Sequence, residues 1–298
     1  MPRTRAQVTA RIRVGISGWS YKPWRGVFYP PELRIKDQLK FASSVFPTVE
    51  INGSFYSLQR PQTYRAWFDS TPESFIFSVK GGKFVTHLKR LTNSEQGLSN
   101  FFASGVLELE QKLGPILWQL PPTLGFDAAR LKAFFEVLPR TFAEAGQLAR
   151  GHAEWLKGRT SLGPGGNSRI RYALEFRHPS FLCLEAIRLF REYRIAPCVA
   201  DSAGLFPYTE DLAADLVYVR LHGAEQLYTS GYSPQQLREW SARIRAWHAG
   251  RPGPDPHQVE TSAKGDGAPR DVFVYFDNDV KVRAPFDALN LERILRGA

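Results

Sequence analysis

Short apolar runs rich in β-branched and aromatic residues recur along the chain, and each ends in a residue whose side chain can do chemistry. Runs of about four to eight such residues between turn signals are typical of buried strands. The pattern predicts eight strands, over residues 12–17, 48–52, 75–80, 116–119, 172–178, 196–201, 216–222 and 272–278. Continuous apolar strands of this kind indicate a parallel sheet covered by helices.

The segments between these runs carry the spacing of amphipathic helices, with apolar residues three or four positions apart. They predict helices over residues 35–42, 62–68, 94–112, 127–138, 180–193, 234–248 and 288–295. Asp127 and Ser180 stand where helix N-caps are expected, and Pro234 suits a first helical position. Repeated strand–helix units predict one α/β domain, a TIM-type (β/α)8 barrel over residues 12–298.

Two segments interrupt this rhythm, near residues 141–168 and 249–270. Both contain runs rich in Gly, Pro and charge, such as GRTSLGPGGNS and RPGPDPH, which are typical of irregular surface segments. We therefore expect a single domain with two flexible surface insertions. Residues 1–11 are expected to form a basic N-terminal arm, because Arg3, Arg5 and Arg11 are concentrated there.

Composition narrows the class of protein. The hydrophobic fraction of 43% and the charged fraction of 23% are ordinary for a soluble globular protein. No apolar stretch approaches the ~20 residues that span a bilayer, and the N-terminus lacks the pattern of a secretory signal, so no membrane partner is expected. Cys183 and Cys198 lack CxxC spacing and indicate free thiols in a reducing compartment, so we expect a cytoplasmic location.

The formal net charge of +10 indicates a basic surface. Because the Arg and Lys residues are spread along the whole chain, we interpret them first as a solvated surface. A nucleic-acid partner stays open as an alternative, since strongly basic chains often bind nucleic acid.

Strand parity predicts where the polar side chains point, because residues two positions apart on a strand share a face. If Val49 and Ile51 face the helices, Glu50 and Asn52 face the barrel axis. Asp201 and the Asp277-Asn278 pair lie at the mouth of the barrel, although parity does not settle which of them face inward. The same parity turns further strand-end residues inward, namely Ser17, Ser78, Lys80, Gln119, Glu175, Arg177, Arg220 and His222.

Active sites of TIM barrels lie at the C-terminal ends of the strands, so these residues predict a pocket of mixed charge there. The predicted catalytic residues are Glu175, His222, Glu50 and Asp201, of which Glu175 and His222 would exchange protons. Guanidinium and ammonium groups bind phosphate-like anions well. The predicted binding residues are Lys80, Arg177, Arg220, Asn52, Gln119, His87, His178, Asn278, Ser17, Trp19 and Tyr21.

These assignments have structural alternatives. The carboxylates and cations could form an ion-pair network that closes the top of the barrel. His178 could position a loop, His87 could face solvent, and the aromatic loop with Trp19 and Tyr21 could cap the core. Three carboxylates with two or three histidines would also permit a divalent metal site, which is the less favoured alternative because no fixed ligand spacing supports it. No metal ligand is therefore predicted, and the cofactor stays unknown.

Together these segments resemble the DUF72 family, also called YecE-like. The match covers about residues 12 to 292. The resemblance implies a TIM-type barrel but no reaction, because the family is one of unknown function. Asp277 stands where the family often has Asn, which leaves its role open. The matching segments are GISGWSY at 15–21, TVEINGSFY at 48–56, FSVK at 77–80, QLPP at 119–122, LEFRH at 174–178, ADSA at 200–203, VRLHG at 219–223 and YFDND at 275–279.

We therefore expect an enzyme, hydrolase-like, that acts on a small anionic or phosphate-bearing ligand at the C-terminal mouth of the barrel. Hydrolysis is the default reaction, because no redox or nucleotide-cofactor pattern occurs in the sequence. The absence of HExxH, GxSxG and phosphate-loop patterns excludes several common catalytic designs. Two alternatives stay open: a nucleic-acid binding or DNA-repair protein, and a non-catalytic ligand sensor. The oligomeric state is not predicted.

Overall fold

A computed structural model of the chain describes residues 10–297 and has a closed barrel of parallel strands in the order of the sequence. The first strand pairs with the second and the last, which closes the barrel. This confirms the predicted TIM-type fold. Most of the predicted basic arm, including Arg3 and Arg5, lies outside the described residues. The strands are β1 (Ile12–Ser17), β2 (Thr48–Ile51), β3 (Ile76–Lys80), β4 (Leu113–Gln119), β5 (Tyr172–Glu175), β6 (Ala196–Asp201), β7 (Leu216–Leu221) and β8 (Asp271–Phe276).

Helices surround the barrel. Asp127 caps one of them as predicted, accepting a hydrogen bond of 2.9 Å from the Arg130 amide. Ser180 caps none, because residues Pro179–Phe181 form a 3-10 turn and the helix starts later. In residues 10–297 the helices are α1 (Gln38–Val45), α2 (Gly53–Tyr56), α3 (Pro61–Asp69), α4 (Glu95–Ala103), α5 (Ala128–Val137), α6 (Phe142–Ala149), α7 (Leu184–Glu192), α8 (Pro234–His248) and α9 (Ala284–Arg296).

The helix predicted over residues 94–112 is divided at Gly105. This glycine has a left-handed φ of 106°, and two short 3-10 turns follow within Val106–Lys112, separated by a kink at Glu110. A Cβ at Gly105 would lie 2.4 Å from the Cα of Pro61. The chain therefore passes so close to the start of α3 that only glycine fits, and the helical spacing of the sequence does not reveal this break.

The segment 141–168 begins with helix α6, where an irregular insertion was expected. Thr141 caps the helix by accepting a hydrogen bond from the Glu144 amide, and Phe142, Ala145 and Ala149 are buried. This spacing places one apolar face against α4. Segment 249–270, which follows the end of α8 at His248, contains no strand and no helix, as its composition predicts. No helix in the described part of the chain is long and apolar enough to cross a membrane.

The lower part of the barrel interior is apolar and aromatic. Tyr218 and Tyr275 pack with their ring centres 5.2 Å apart, and both rings are buried. Their hydroxyl groups bond to Ser78 and Thr48, at 2.6 and 2.8 Å. This layer closes the barrel from below, so that the charged side chains above it face the C-terminal mouth.

Gly81 directly follows β3 and allows the strand to pass the ring of Trp118. A Cβ there would lie 2.2 Å from that fully buried ring. We expect Gly81→Ala to lower the free energy of unfolding by about 1–3 kcal/mol, because the ring has no free space to move into. Urea denaturation would measure this. Gly82→Ala is the matched control, since its Cβ would meet its nearest neighbour at 3.7 Å. Equal stability of the two variants would contradict the packing.

Candidate active site at the barrel mouth

Arg220, near the end of β7, lies at the centre of the charged residues and is 1% exposed. Its guanidinium forms ion pairs with Glu50 at 2.9 Å, Glu175 at 2.8 Å and Asp277 at 2.7 Å. These carboxylates come from β2, β5 and the residue after β8, so one cation ties together three parts of the barrel. Both terminal nitrogens of the guanidinium are bonded to carboxylates of the protein, while its buried Nε has no partner among residues 10–297. The sequence had instead predicted that Arg220 binds a ligand anion.

Glu50 is fully buried beside Arg220. Tyr218 donates a hydrogen bond of 2.6 Å to its Oε2, and Ser17 donates to its Oε1. Asn52 in turn donates to the Ser17 hydroxyl at 2.7 Å. Inward-facing parity thus placed Ser17, Glu50 and Asn52 correctly. Since both oxygens of Glu50 are occupied, its geometry fits a rigid floor better than a catalytic group.

Glu175 is held as an anion by two arginines. Arg177 donates from Nε to Glu175 at 2.7 Å, and its guanidinium lies 4.3 Å from the ring centre of Phe206. Burial opposes ionisation of Glu175, but Arg177 and Arg220 outweigh it and keep its pKa well below the usual range. A carboxylate in this state exchanges protons poorly near neutral pH, which argues against the predicted acid–base role. Gln119 is buried next to it, at the paired position of β4.

His222 is also fully buried and braces Asp277. Its Nδ1 lies 3.1 Å from Asp277 Oδ2, and its Nε2 lies 3.4 Å from Nη1 of Arg220. Because arginine only donates, Nε2 is the atom of the ring that can accept from Arg220, while Nδ1 faces Asp277 without the alignment of a hydrogen bond. Burial opposes ionisation of Asp277, yet Arg220 and His222 lower its pKa to about 2.

Above this network lies an open cavity of about 610 Å³. Its size is within the range of small-molecule sites, roughly 300–1,000 Å³. Trp19 packs edge-to-face on Trp67 with ring centres 5.2 Å apart, so part of the wall is an aromatic surface. The side chains lining the cavity include the aromatic residues Trp19, Tyr21, Tyr56, Trp67 and Tyr228 and the polar residues Asn52, Gln59, Lys80, Asp277 and Asp279.

Lys80 is the cation in this lining. Burial, and then the nearby Arg220, lower its pKa to about 8. Its ammonium lies 4.4 Å from the ring centre of Phe55, while the neighbouring carboxylates Glu175 and Asp277 are paired with Arg220. Lys80 can therefore both bind a ligand atom and exchange a proton near neutral pH.

Asp279 is a candidate that the strand pattern did not identify, because it lies beyond the end of β8. Burial and the charge of Asp277 raise its pKa to about 6. Asp277 and Asp279 therefore face one cavity with pKa values shifted in opposite directions, an arrangement typical of acid–base sites. Asn52 Oδ1, in the same lining, is buried and has no hydrogen-bond partner among residues 10–297.

Two predicted site residues support the segment between β7 and α8 instead of lining the cavity. Asp201 accepts a hydrogen bond of 3.0 Å from the Tyr232 hydroxyl. Asn278 donates to Asp287 at 2.8 Å and to the Ser230 carbonyl at 2.9 Å. Because Asp277 faces the barrel axis, its neighbour Asn278 must face outward, toward α9. The prediction that Asn278 binds the ligand is therefore not supported.

The two loop histidines also have structural contacts. His178 lies 2.7 Å from the Ser180 hydroxyl and caps the following 3-10 turn. His87 lies 2.9 Å from the Thr86 hydroxyl and packs edge-to-face on Phe55, with ring centres 5.2 Å apart. Burial and the charge of Arg177 lower the pKa of His87. Among residues 10–297, no cluster of three or more His, Cys, Asp or Glu side chains has the geometry to hold a metal ion.

The fold and the mouth define a TIM-type barrel with a polar, aromatic-walled cavity at the C-terminal ends of its strands. The sequence matches the family described as "Protein of unknown function DUF72" over residues 13–298, and the chain belongs to this family. This confirms the resemblance found in the sequence.

Relatives support the family and the fold. UPF0759 protein YunF of Bacillus subtilis is 33% identical over 116 residues, 37% of this chain and 40% of YunF. YecE of Escherichia coli K12 is 26% identical over 132 residues, 44% of this chain and 46% of YecE. The chain thus matches less than half the length of these curated relatives.

Solved structures of family members cover the whole barrel. A DUF72 protein from Thermotoga maritima is 24% identical, with a TM-score of 0.70 and coverage of 96% of this chain and 99% of that one. One from Enterococcus faecalis is 17% identical, with a TM-score of 0.68 and coverage of 96% of both chains. At this level of identity the likeness concerns the fold alone.

Proposed function

We propose that the protein is a hydrolase-like enzyme that uses general acid–base catalysis in the mouth cavity. The observation that carries this proposal is the set of three charged side chains, Lys80, Asp277 and Asp279, that line one cavity at the ends of the strands. Their pKa values of about 8, 2 and 6 give the site a proton donor, a fixed anion and a base around neutral pH.

Each group has a distinct part in hydrolysis. Asp279, ionised above about pH 6, takes a proton from an attacking water. Lys80, protonated below about pH 8, gives its proton to the leaving group. Asp277 stays ionised and keeps Lys80 charged, while the Arg220 ion pairs hold Asp277 in place. The buried network is then the rigid support that a precise site needs.

The lining also limits the substrate. Trp19 and Trp67 offer a surface on which a ring can stack. Lys80 can accept one anionic or polar group, but Asp277 and Asp279 repel further negative charge. The sequence predicted an anionic ligand held by several cations, but Arg177 and Arg220 are paired with carboxylates of the protein. The substrate that fits is therefore a small polar molecule with at most one negative group, placed near Lys80.

A screen of chromogenic esters, glycosides and phosphate monoesters tests this proposal. We expect turnover of one class, and a loss of about 10²–10⁴-fold in kcat/KM on Lys80→Met, the range for a general acid or base. Lys132→Met, which removes an exposed lysine on α5, is the control and should match the wild type. Absence of turnover in every class, or equal rates for both variants, would contradict the proposal.

A further inference from the structure

A second cavity, of about 430 Å³, lies beside the mouth cavity. Its edges carry large apolar side chains that are unusually exposed: Tyr56 and Leu88 at 68%, Trp155 at 60% and Phe84 at 45%. The other apolar side chains of its lining are Phe55, Leu58, Val85, Phe101 and Ala153. Contiguous exposed apolar surface of this kind marks an interaction site. We call it the apolar groove.

Helix α2 is the wall between the two cavities. Its first residue, Gly53, lines the mouth, while Ser54 and Phe55 line the groove, and Tyr56 lines both. Phe55 also lies 4.4 Å from the ammonium of Lys80, which belongs to the mouth. The apolar groove is therefore one side chain away from the groups proposed to do the chemistry.

The far side of the groove has an uncommon backbone. Phe84–Leu88 form a π-helical turn, a rare conformation that is frequent at functional sites. This turn presents Phe84, Val85 and Leu88 to the groove. Trp155, opposite, comes from the 3-10 turn Glu154–Leu156 within segment 141–168. That segment thus supplies part of the groove.

Two polar side chains of the groove, Gln96 and Asn100, are bonded within the protein, while the exposed Lys83 lies over Tyr56, with its ammonium 5.7 Å from the ring centre. Gln96 donates to Asn100 at 3.2 Å and to the Gly151 carbonyl at 2.8 Å, and Asn100 accepts from the Ala153 amide at 2.8 Å. A peptide occupant would bury backbone donors and acceptors that need partners here. A hydrocarbon chain has no such need, so the lining favours it.

We infer that the mouth and the groove bind one amphiphilic substrate, with its polar end at Lys80 and Asp279 and a straight acyl or alkyl chain in the apolar groove. The inference rests on the proposed function for the polar end. The chain would pass Tyr56, whose ring borders both cavities. This assigns the substrate class as a small polar group carrying an apolar tail.

Calorimetric titration with hexanoate, octanoate and decanoate, below their critical micelle concentrations, tests the inference. Burial of each methylene gives about 0.8 kcal/mol, so we expect about fourfold tighter binding per methylene. Leu88→Asp should remove this dependence on chain length. Ile35→Asp changes a similarly exposed apolar residue, 63% exposed, outside the groove and should retain it. Lys80→Met should weaken the binding of all three carboxylates by the same factor and leave the gain in affinity per methylene unchanged.

The dependence of affinity on chain length tests the apolar groove, and the loss of affinity in Lys80→Met tests the link between the groove and the mouth. No chain-length dependence in the wild type, or a dependence that survives Leu88→Asp, would overturn the groove even if turnover in the mouth is found. If Lys80→Met binds every member of the series as tightly as the wild type does, the alkyl chain lies in the groove without its polar end in the mouth. That result would overturn the inference that one ligand occupies both cavities. A change of mass on Leu88→Asp in sedimentation would assign the groove to a second copy of the chain and overturn the inference.

Discussion

Arg220→Met is expected to destabilise the protein by about 3–5 kcal/mol, or to prevent folding, because it leaves buried carboxylates without their cation. Glu50, Glu175 and Asp277 all lose their ion pair with Arg220, although Glu175 keeps Arg177 and Asp277 keeps His222. Urea denaturation at pH 7 measures the change. Arg188→Met removes an exposed arginine on α7 and should stay within about 0.5 kcal/mol of the wild type.

The pKa values of the carboxylates determine how the stability difference between wild type and Arg220→Met changes with pH. In the wild type the pKa values of Glu175 and Asp277 lie below their unfolded values, so their contribution is complete above about pH 5 and is lost as the pH falls toward 2. In Arg220→Met, Glu175 keeps Arg177 and Asp277 keeps His222, but both lose the Arg220 charge, so burial raises their pKa values relative to the wild type. Acidification then protonates the carboxylates and relieves the variant. The stability difference should therefore shrink between pH 7 and 4.

A constant difference across that range would show that the ion pairs contribute little and that lost packing explains the effect. If Arg220→Met does not fold at pH 7, the double variant Arg220→Met/Glu50→Gln supplies the comparison. It removes one of the orphaned charges and should recover soluble, folded protein more readily than the single variant.

The sequence predicted the barrel and its inward ring because both follow from the period of two along a strand. Ser17, Glu50 and Arg220 lie inward for this reason alone. Parity does not say which charges neutralise one another, since that depends on distances across the barrel. Arg177 and Arg220 were therefore expected to bind a ligand, although each is paired with Glu175.

Positions just beyond the strands were harder to predict. After β8 the inward residue is Asp277, and its neighbour Asn278 is turned toward Asp287. Asp279 enters the cavity from irregular backbone, where no period indicates direction. Helix α6 was not predicted, because the Gly- and Pro-rich run that follows it dominates the composition of segment 141–168.

Asp279→Asn is expected to lower kcat/KM by about 10²–10⁴-fold on the substrate class that the screen identifies, since it removes the proposed base. The wild-type profile of kcat/KM against pH should be bell-shaped, with an acidic limb near pH 6 from Asp279 and a basic limb near pH 8 from Lys80. The variant should lose the acidic limb and keep the basic one. Asp255→Asn changes an exposed aspartate and should retain both limbs.

Stability separates this catalytic role from a structural one. Burial and Asp277 raise the pKa of Asp279 above its unfolded value, so its ionisation disfavours the folded state and stability falls as the pH rises through about 6. Asp279→Asn removes that charge and should be at least as stable as the wild type at pH 7 to 8, measured by urea denaturation. A variant that loses activity but keeps its stability indicates that Asp279 is a catalytic group. Functional sites commonly contain charged groups that lower the stability of the fold. An acidic limb that persists in Asp279→Asn would assign the base to another residue.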